Sequence, residues 1–237
     1  MSFDPVSYLL GKQAGGGGGG GATVGITTSS SNLSQFMTSR EISPRLAKLT
    51  IHSTSGNAVS ATNVCSSLSG VDAVVLTADN GIAGMVSAFD YCRVPHITIN
   101  ADTSACTTYK NAFRARSEYT HRTVVDGDPL DLSSVTSSDN LSYMVGYTVT
   151  DIRFVPSSCK YSWNNAQCEN ISDATLVSIA NALDGTATGL TLTIHATPKA
   201  RCQTLMGTVA DGLFTADAGG TVTLADFITT TKGWTLA

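Results

Sequence analysis

The sequence predicts an α/β chain: a solenoid of short parallel strands, with a helical closing region at its C-terminal end and an extended anchor at its N-terminal end. Three observations predict it. A β-type phrase recurs at a near-constant interval: LTIH at 49–52, AVVL at 73–76, HITIN at 96–100, RTVV at 122–125 and DIRFV at 151–155. After residue 170 the pattern changes to an alternation of helix and strand. Before residue 22 lies a run of seven glycines, 15–21, with no side chain to bury.

The N-terminal element, 1–22, reads as a docking peptide on a leash. Phe3, Val6, Tyr8, Leu9 and Leu10 crowd into eight positions ahead of the glycines. The glycine run has the largest conformational entropy to lose on folding, and composition of that kind behaves as a flexible tether. Phe3, Tyr8, Leu9 and Leu10 are the candidate anchoring residues. Asp4 stands where a secretory signal carries basic residues, and glycines stand where its cleavage site falls, so no export signal is expected. No run of eighteen apolar residues occurs, so no membrane-spanning helix is expected. Residues 23–48 read as an irregular connector, with one short helix at 33–40 closed by Pro44.

Residues 49–169 carry the repeats. The central residues Ile51, Val75, Ile99, Val124 and Ile152 are separated by 24, 24, 25 and 28 positions. A period in that range marks a solenoid, in which each unit buries its apolar face only by stacking on its neighbours. Ala88-Phe89 and Ala112-Phe113 recur 24 apart between the strands. Alanine lets two coils approach closely, and phenylalanine fills the space between layers. The phrase at 88–92 followed by Ile97-Thr98-Ile99, together with the strand and Pro-Ser at 149–158, resembles the leucine-rich repeats of the BspA type. The resemblance covers 49–158, with little leucine, no asparagine ladder and a long fourth gap. It implies a leucine-rich-repeat-like solenoid.

Residues 170–237 read as an α/β capping region. Ser172 caps a helix at 172–183, with Leu176, Ile179, Ala180 and Leu183 on one face and Gly185 beyond its end. A strand at 190–195 follows. Pro198 opens a second helix running to about Val209. Residues 210–220 form a loop, 224–231 a third short helix and 233–237 a last strand, the crossover logic of parallel strands. The two chain ends, SYLLGK before the glycines and TVTLADFITTTKGWTLA, resemble proteins encoded in tailed phages and prophages of gut Firmicutes. That resemblance implies a non-enzymatic virion structural protein: a fibre, a tail or baseplate component, or a head decoration. It would be made in the bacterial host cytoplasm and held to other virion proteins by its N-terminus. It would be a homo-oligomer displaying its body for subunit contacts or for a host surface protein or glycan. The alternatives are a bacterial leucine-rich-repeat adhesin and a glycan-cleaving β-helix enzyme.

Composition bounds the chemistry. Only 14% of residues are charged, about a quarter are Ser or Thr, and the net charge is −4. Lys and Arg form no cluster along the chain, which excludes nucleic acid and anionic membrane as expected partners. The six cysteines include no CxxC pair and read as buried small hydrophobes, with a Cys159–Cys168 disulfide as the other reading. His52, His96, His121 and His195 fall at strand edges. They would need one shared face to hold a metal, and polar strand ends are the simpler account. Asp126, Asp128 and Asp131 surround Gly127 and Pro129, a turn composition without the length or closing glutamate of a calcium loop. No nucleophile elbow, zinc-protease, Walker or dinucleotide motif occurs. No catalytic residue, cofactor or metal is therefore expected. Tyr143, Tyr147, Tyr161 and Trp163 lie where the repeat expands, and expansions fall on binding faces. They are the candidate ligand contacts, with the filling of a wider coil as the alternative.

Overall fold

Leu49 and Ile51, Val74 and Leu76, and Ile97 and Ile99 are apolar pairs two positions apart, and residues two apart on a strand share a face. In a computed structural model, which describes residues 21–34, 36–37 and 40–237, all six face one core. The architecture is a parallel β-solenoid. Its main sheet holds β1 (Ala22–Thr28), β2 (Glu41–Ser53), β4 (Ser69–Ala78), β6 (His96–Asn100), β7 (Thr123–Gly127) and β8 (Val149–Asp151), side by side in that order and all parallel. Between them β3 (Val59–Ser60) pairs with β5 (Ile82–Gly84). Two inner columns run across the main sheet: Val24, Leu49, Val74, Ile97 and Val125, and Ile26, Ile51, Leu76 and Ile99.

The expected column is corrected by one residue at two strands. Val75 and Val124 are half-buried on the outer side, while Leu76 and Val125 take the inner positions. The inner residues from Val24 to Val125 are spaced 25, 25, 23 and 28 apart rather than holding 24, and a one-residue slip moves every side chain to the other face. Ile152 is buried but lies just past the end of β8, and Phe154 forms a bridge with Leu130 instead of continuing the strand.

A second ladder runs through the turns. Asn63, Ser87, Asn111 and Tyr143 all have left-handed backbone, φ 51–57°. Their N–H groups donate to Val86, Lys110, Ser142 and Asn164 of the adjoining coil at 2.8–3.0 Å. Each left-handed non-glycine residue costs about 1–2 kcal/mol, and the repeated hydrogen bond offsets that cost. Ala88 and Ala112 are fully buried, and the rings of Phe89 and Phe113 stack 5.6 Å apart at 3°, as the 24-residue repeat predicts.

The solenoid starts earlier than its clearest repeats. Residues 22–28 are β1 and 41–48 already belong to β2, where the sequence reads as connector. Val24 and Ile26 alternate with Gly and Thr over too few residues to stand out. The expected helix at 33–40 is absent from the described residues of that stretch. Leu33 and Met37 are four apart and imitate a helix face, yet both are buried coil residues whose N–H groups donate to Ser60 and Val64.

The C-terminal region is mixed rather than helical. β9 (Trp163–Asn165), α1 (Asp173–Ala182), β10 (Thr191–Ile194) and α2 (Ala196–Cys202) come first. They are followed by β11 (Met206–Ala210), β12 (Leu213–Ala216), β13 (Val222–Thr223), α3 (Leu224–Asp226) with a wider turn at Phe227–Thr231, and β14 (Thr235–Leu236). β14, β10 and β9 are parallel, and β11 pairs antiparallel with β12 and β13. Ser172 caps α1 by accepting from the Thr175 N–H at 3.2 Å. The second helix stops at Cys202 rather than near Val209. The expected loop at 210–220 contains a hairpin turned by Asp211-Gly212, φ 52° and 72°. Asp-Gly between apolar residues favours that tight turn. α1 lies on the edge of β8: the Ile152 N–H donates to the Thr175 hydroxyl and the Phe154 N–H to the Ser178 hydroxyl, at 3.0 and 2.9 Å. All six cysteines, Cys159 and Cys168 included, are free buried thiols.

Candidate functional site

The repeat sets neighbouring coils side by side, and at one corner they bring arginines and tyrosines together. Ser67 and Tyr91 are left-handed, φ 57° and 54°, and donate to the carbonyls of Asp90 and Arg114 at 2.7 Å. This backbone pairing places Arg114 one coil beyond the buried Asp90. The guanidinium grips both carboxylate oxygens, Nε to Oδ1 at 2.9 Å and Nη2 to Oδ2 at 2.7 Å, the bidentate geometry arginine favours. That hydrogen bonding raises the Arg114 pKa further.

Three cation–π contacts fix the rest. Arg114 and Arg116 lie over the Tyr91 ring at 4.7 and 5.0 Å, and Arg93 lies over Tyr119 at 4.7 Å. The His121 ring is 5.7 Å from Tyr119. Burial, helped by the Arg93 charge, pushes its pKa down. A groove of about 290 Å³ opens here, between Arg40 and Glu41 at the start of β2, Ser67 and Ser69 before and at the start of β4, and Tyr91, Arg93 and Tyr119. The arrangement can present fixed guanidinium donors, hydroxyls and one carboxylate to a small polar ligand.

Along the chain Lys and Arg form no cluster, and the coils nonetheless bring three arginines to one corner. Arg93, Arg114 and Arg116 are scattered in sequence and gathered by the coils. The available signal was periodic: Asp90 and Arg114 are opposite charges one repeat apart, and each neighbours an aromatic or a second arginine.

A second groove, about 340 Å³, lies where the repeat expands. It is lined by Ser138, Asp139, Ser142, Ser162, Asn164, Thr191 and Thr193, with Trp163 behind. Asp139 is held by Lys110 at 2.8 Å. Of the four expected ligand contacts, Tyr143 and Tyr161 are each 37% exposed. Tyr147 is half-buried, its ring 6.5 Å from His195. Trp163 is corrected to a core residue: it is fully buried at the start of β9 and meets Phe154 edge-on at 5.0 Å. It fills the wider coil. Phe3, Tyr8, Leu9 and Leu10 lie outside the described residues.

The remaining candidates sit in local structure. His52 Nε2 is 2.7 Å from Asp79, and His195 Nδ1 accepts from the Thr197 N–H at the start of α2. Gly127 has φ +99°, and a Cβ there would overlap the Ile99 carbonyl. Asp131 accepts from the Ser133 N–H at 2.8 Å, so the acidic stretch is a built turn. Among the described residues, no three His, Cys, Asp or Glu side chains converge to hold a metal, and no helix is long and apolar enough to cross a membrane. Comparison of the chain with protein-family models, with curated proteins and with solved structures gives no match.

Proposed function

We propose that the protein is a non-enzymatic structural component of a tailed-phage particle, a fibre, tail or baseplate component, or head decoration. It attaches to other virion proteins by its N-terminal head and displays a leucine-rich-repeat-like body, as a homo-oligomer, for subunit or host-surface contacts. The observation that carries this reading is one of order. Apolar residues at 3–10 and seven glycines at 15–21 stand directly ahead of a parallel solenoid whose first strand among the described residues begins at Ala22. A leash between a short docking peptide and a rigid body suits attachment of an elongated module to a larger assembly.

The composition supports it as well, because a sparsely charged, hydroxyl-rich surface suits protein and glycan contacts. Glycoside hydrolysis asks for two carboxylates across a groove. Asp139, the carboxylate of the hydroxyl-lined groove, is engaged by Lys110. The test is particle association. Full-length protein is mixed with purified particles, sedimented and compared with a full-length variant carrying Phe3, Tyr8, Leu9 and Leu10 as alanine. Co-sedimentation lost in the variant is the expected result. Equal co-sedimentation, or none for either protein, overturns the anchoring reading.

A further inference from the structure

We infer that the groove at the Tyr91–Tyr119 corner binds a single acidic sugar unit of a surface polysaccharide, with the sugar carboxylate held by Arg93. The inference deepens the display reading, on which it rests for the source of the ligand; the binding chemistry rests on the groove alone.

Arg93 differs from the other arginines of the cluster. Arg114 is satisfied by Asp90, and Arg116 reaches Glu118 at 3.4 Å. The exposed Arg93 guanidinium lies on Tyr119 and, among the described residues, makes no ion pair or side-chain hydrogen bond. The contact with the ring restrains the guanidinium, and the side chain remains exposed, so its N–H groups are open to a ligand. A planar carboxylate meets a guanidinium through two parallel hydrogen bonds, and an arginine already held in place loses less freedom on binding.

The other walls select the rest of the ligand. Ser67 and Ser69 offer hydroxyls, and Glu41 offers an acceptor carboxylate. A sugar ring, dense in hydroxyls, can satisfy all three. Glu41 offsets part of the positive charge of Arg40 and Arg93 and repels a second negative charge, which favours one acid group among neutral hydroxyls over a phosphate or a sulfated chain. Tyr91 and Tyr119 line the groove and supply apolar surface for the C–H face of the ring. A volume of about 290 Å³ stands at the lower end of small-molecule pockets and suits one ring rather than a chain segment.

The test is a chemical-shift titration of the full-length protein with methyl glucuronide, methyl glucoside and inorganic phosphate. Expected are binding of methyl glucuronide that weakens with added salt and affinity for methyl glucoside lower by at least tenfold. Arg93→Ala loses at least tenfold in affinity for the glucuronide, whereas Lys160→Ala, an exposed cation outside the groove, changes nothing. Both positions are exposed, so thermal unfolding of each variant should match the parent. Absence of glucuronide binding, or undiminished binding by Arg93→Ala, overturns the inference. Phosphate binding as tight as glucuronide overturns the sugar assignment. Neither failure touches the anchoring reading, which stands or falls on particle co-sedimentation.

Discussion

At Tyr91 and at Tyr143 the backbone does the same thing. Both tyrosines are left-handed, φ 54° and 52°, and both donate to a carbonyl of the adjoining coil at 2.7–2.8 Å. Their surroundings differ. Around Tyr91 equivalent residues fall 24 apart, so Phe89 lies flat on Phe113 and Asp90 meets Arg114. Ahead of Tyr143 the spacing from Asn111 is 32. The hydrogen-bond ladder survives the insertion, with the Asn111 N–H still donating to Ser142 and that of Phe113 to Met144. The side-chain register does not survive. The stacked rings give way to an edge-on Phe154–Trp163 pair, and the arginine corner gives way to a hydroxyl-lined groove. Backbone pairing asks only for a strand or turn of matching direction. Side-chain stacking asks for the same residue type at the same place in each coil.

The comparison can be broken most severely at its aromatic stack. Phe113→Ala should cost about 3–5 kcal/mol in urea unfolding, whereas Tyr161→Ala, 37% exposed, should stay within about 0.5 kcal/mol. A loss near 1 kcal/mol for Phe113→Ala would mean that the stack is not what joins the coils. The ion pairs of the two corners give the next contrast. Asp90→Ala strips a bidentate partner from Arg114 at a carboxylate only 9% exposed, and a loss of about 2–4 kcal/mol is expected. Asp139→Ala breaks an exposed pair with Lys110 and should cost less than about 1 kcal/mol. Equal losses in the two variants would remove the distinction between the corners.

At the far edge of the sheet, Thr175→Val leaves the Ile152 N–H without its acceptor and should cost about 1–3 kcal/mol; calorimetry reads this directly.

A pH dependence is shared by both stretches. Burial pushes the thiols up, to about 12 at Cys92, Cys159 and Cys202 and to about 11 at Cys106 and Cys168. Below about pH 8.5 the thiols are protonated in both folded and unfolded chains, and stability is unaffected. As pH rises from there the unfolded chain ionises first, so stability falls toward the folded-state values. Thermal unfolding followed from pH 7.5 to 10 should show a declining midpoint, and the native thiols should resist a water-soluble disulfide reagent. A flat profile with rapid labelling would mean that the thiols are reached without unfolding.

Much of the fold was legible because a solenoid repeats locally. Leu49, Ile51, Ile97, Ile99 and the two Ala-Phe pairs announce coils of about 24 residues, and Ser172 announces its helix. The inner and outer sides of 73–76 and 122–125 were not legible. A run of consecutive valines and leucine carries no alternation, and only pairing with neighbouring strands selects Leu76 and Val125. Leu33 and Met37 mimicked a helix because four-residue spacing fits one helical face as well as one coil of this solenoid. Asp211-Gly212 carried a hairpin signal that the helix-like neighbourhood of Pro198 concealed. At the sites, the exposure of Tyr143 and Tyr161 follows from their place in the expanded coil, while Trp163 turned inward because that wider coil needed filling.

By itself the sequence determined that this protein is a repeat protein, hydroxyl-rich and sparsely charged, with apolar residues ahead of a run of seven glycines. Those are properties of composition and of spacing along the chain, and they are present before anything folds. Tertiary structure decided which valines face the core, where the solenoid begins and that Arg93, Arg114 and Arg116 share a corner with Tyr91 and Tyr119. Register and stacking are relations between residues about 24 positions apart, and only the hydrogen-bond ladders between coils fix them.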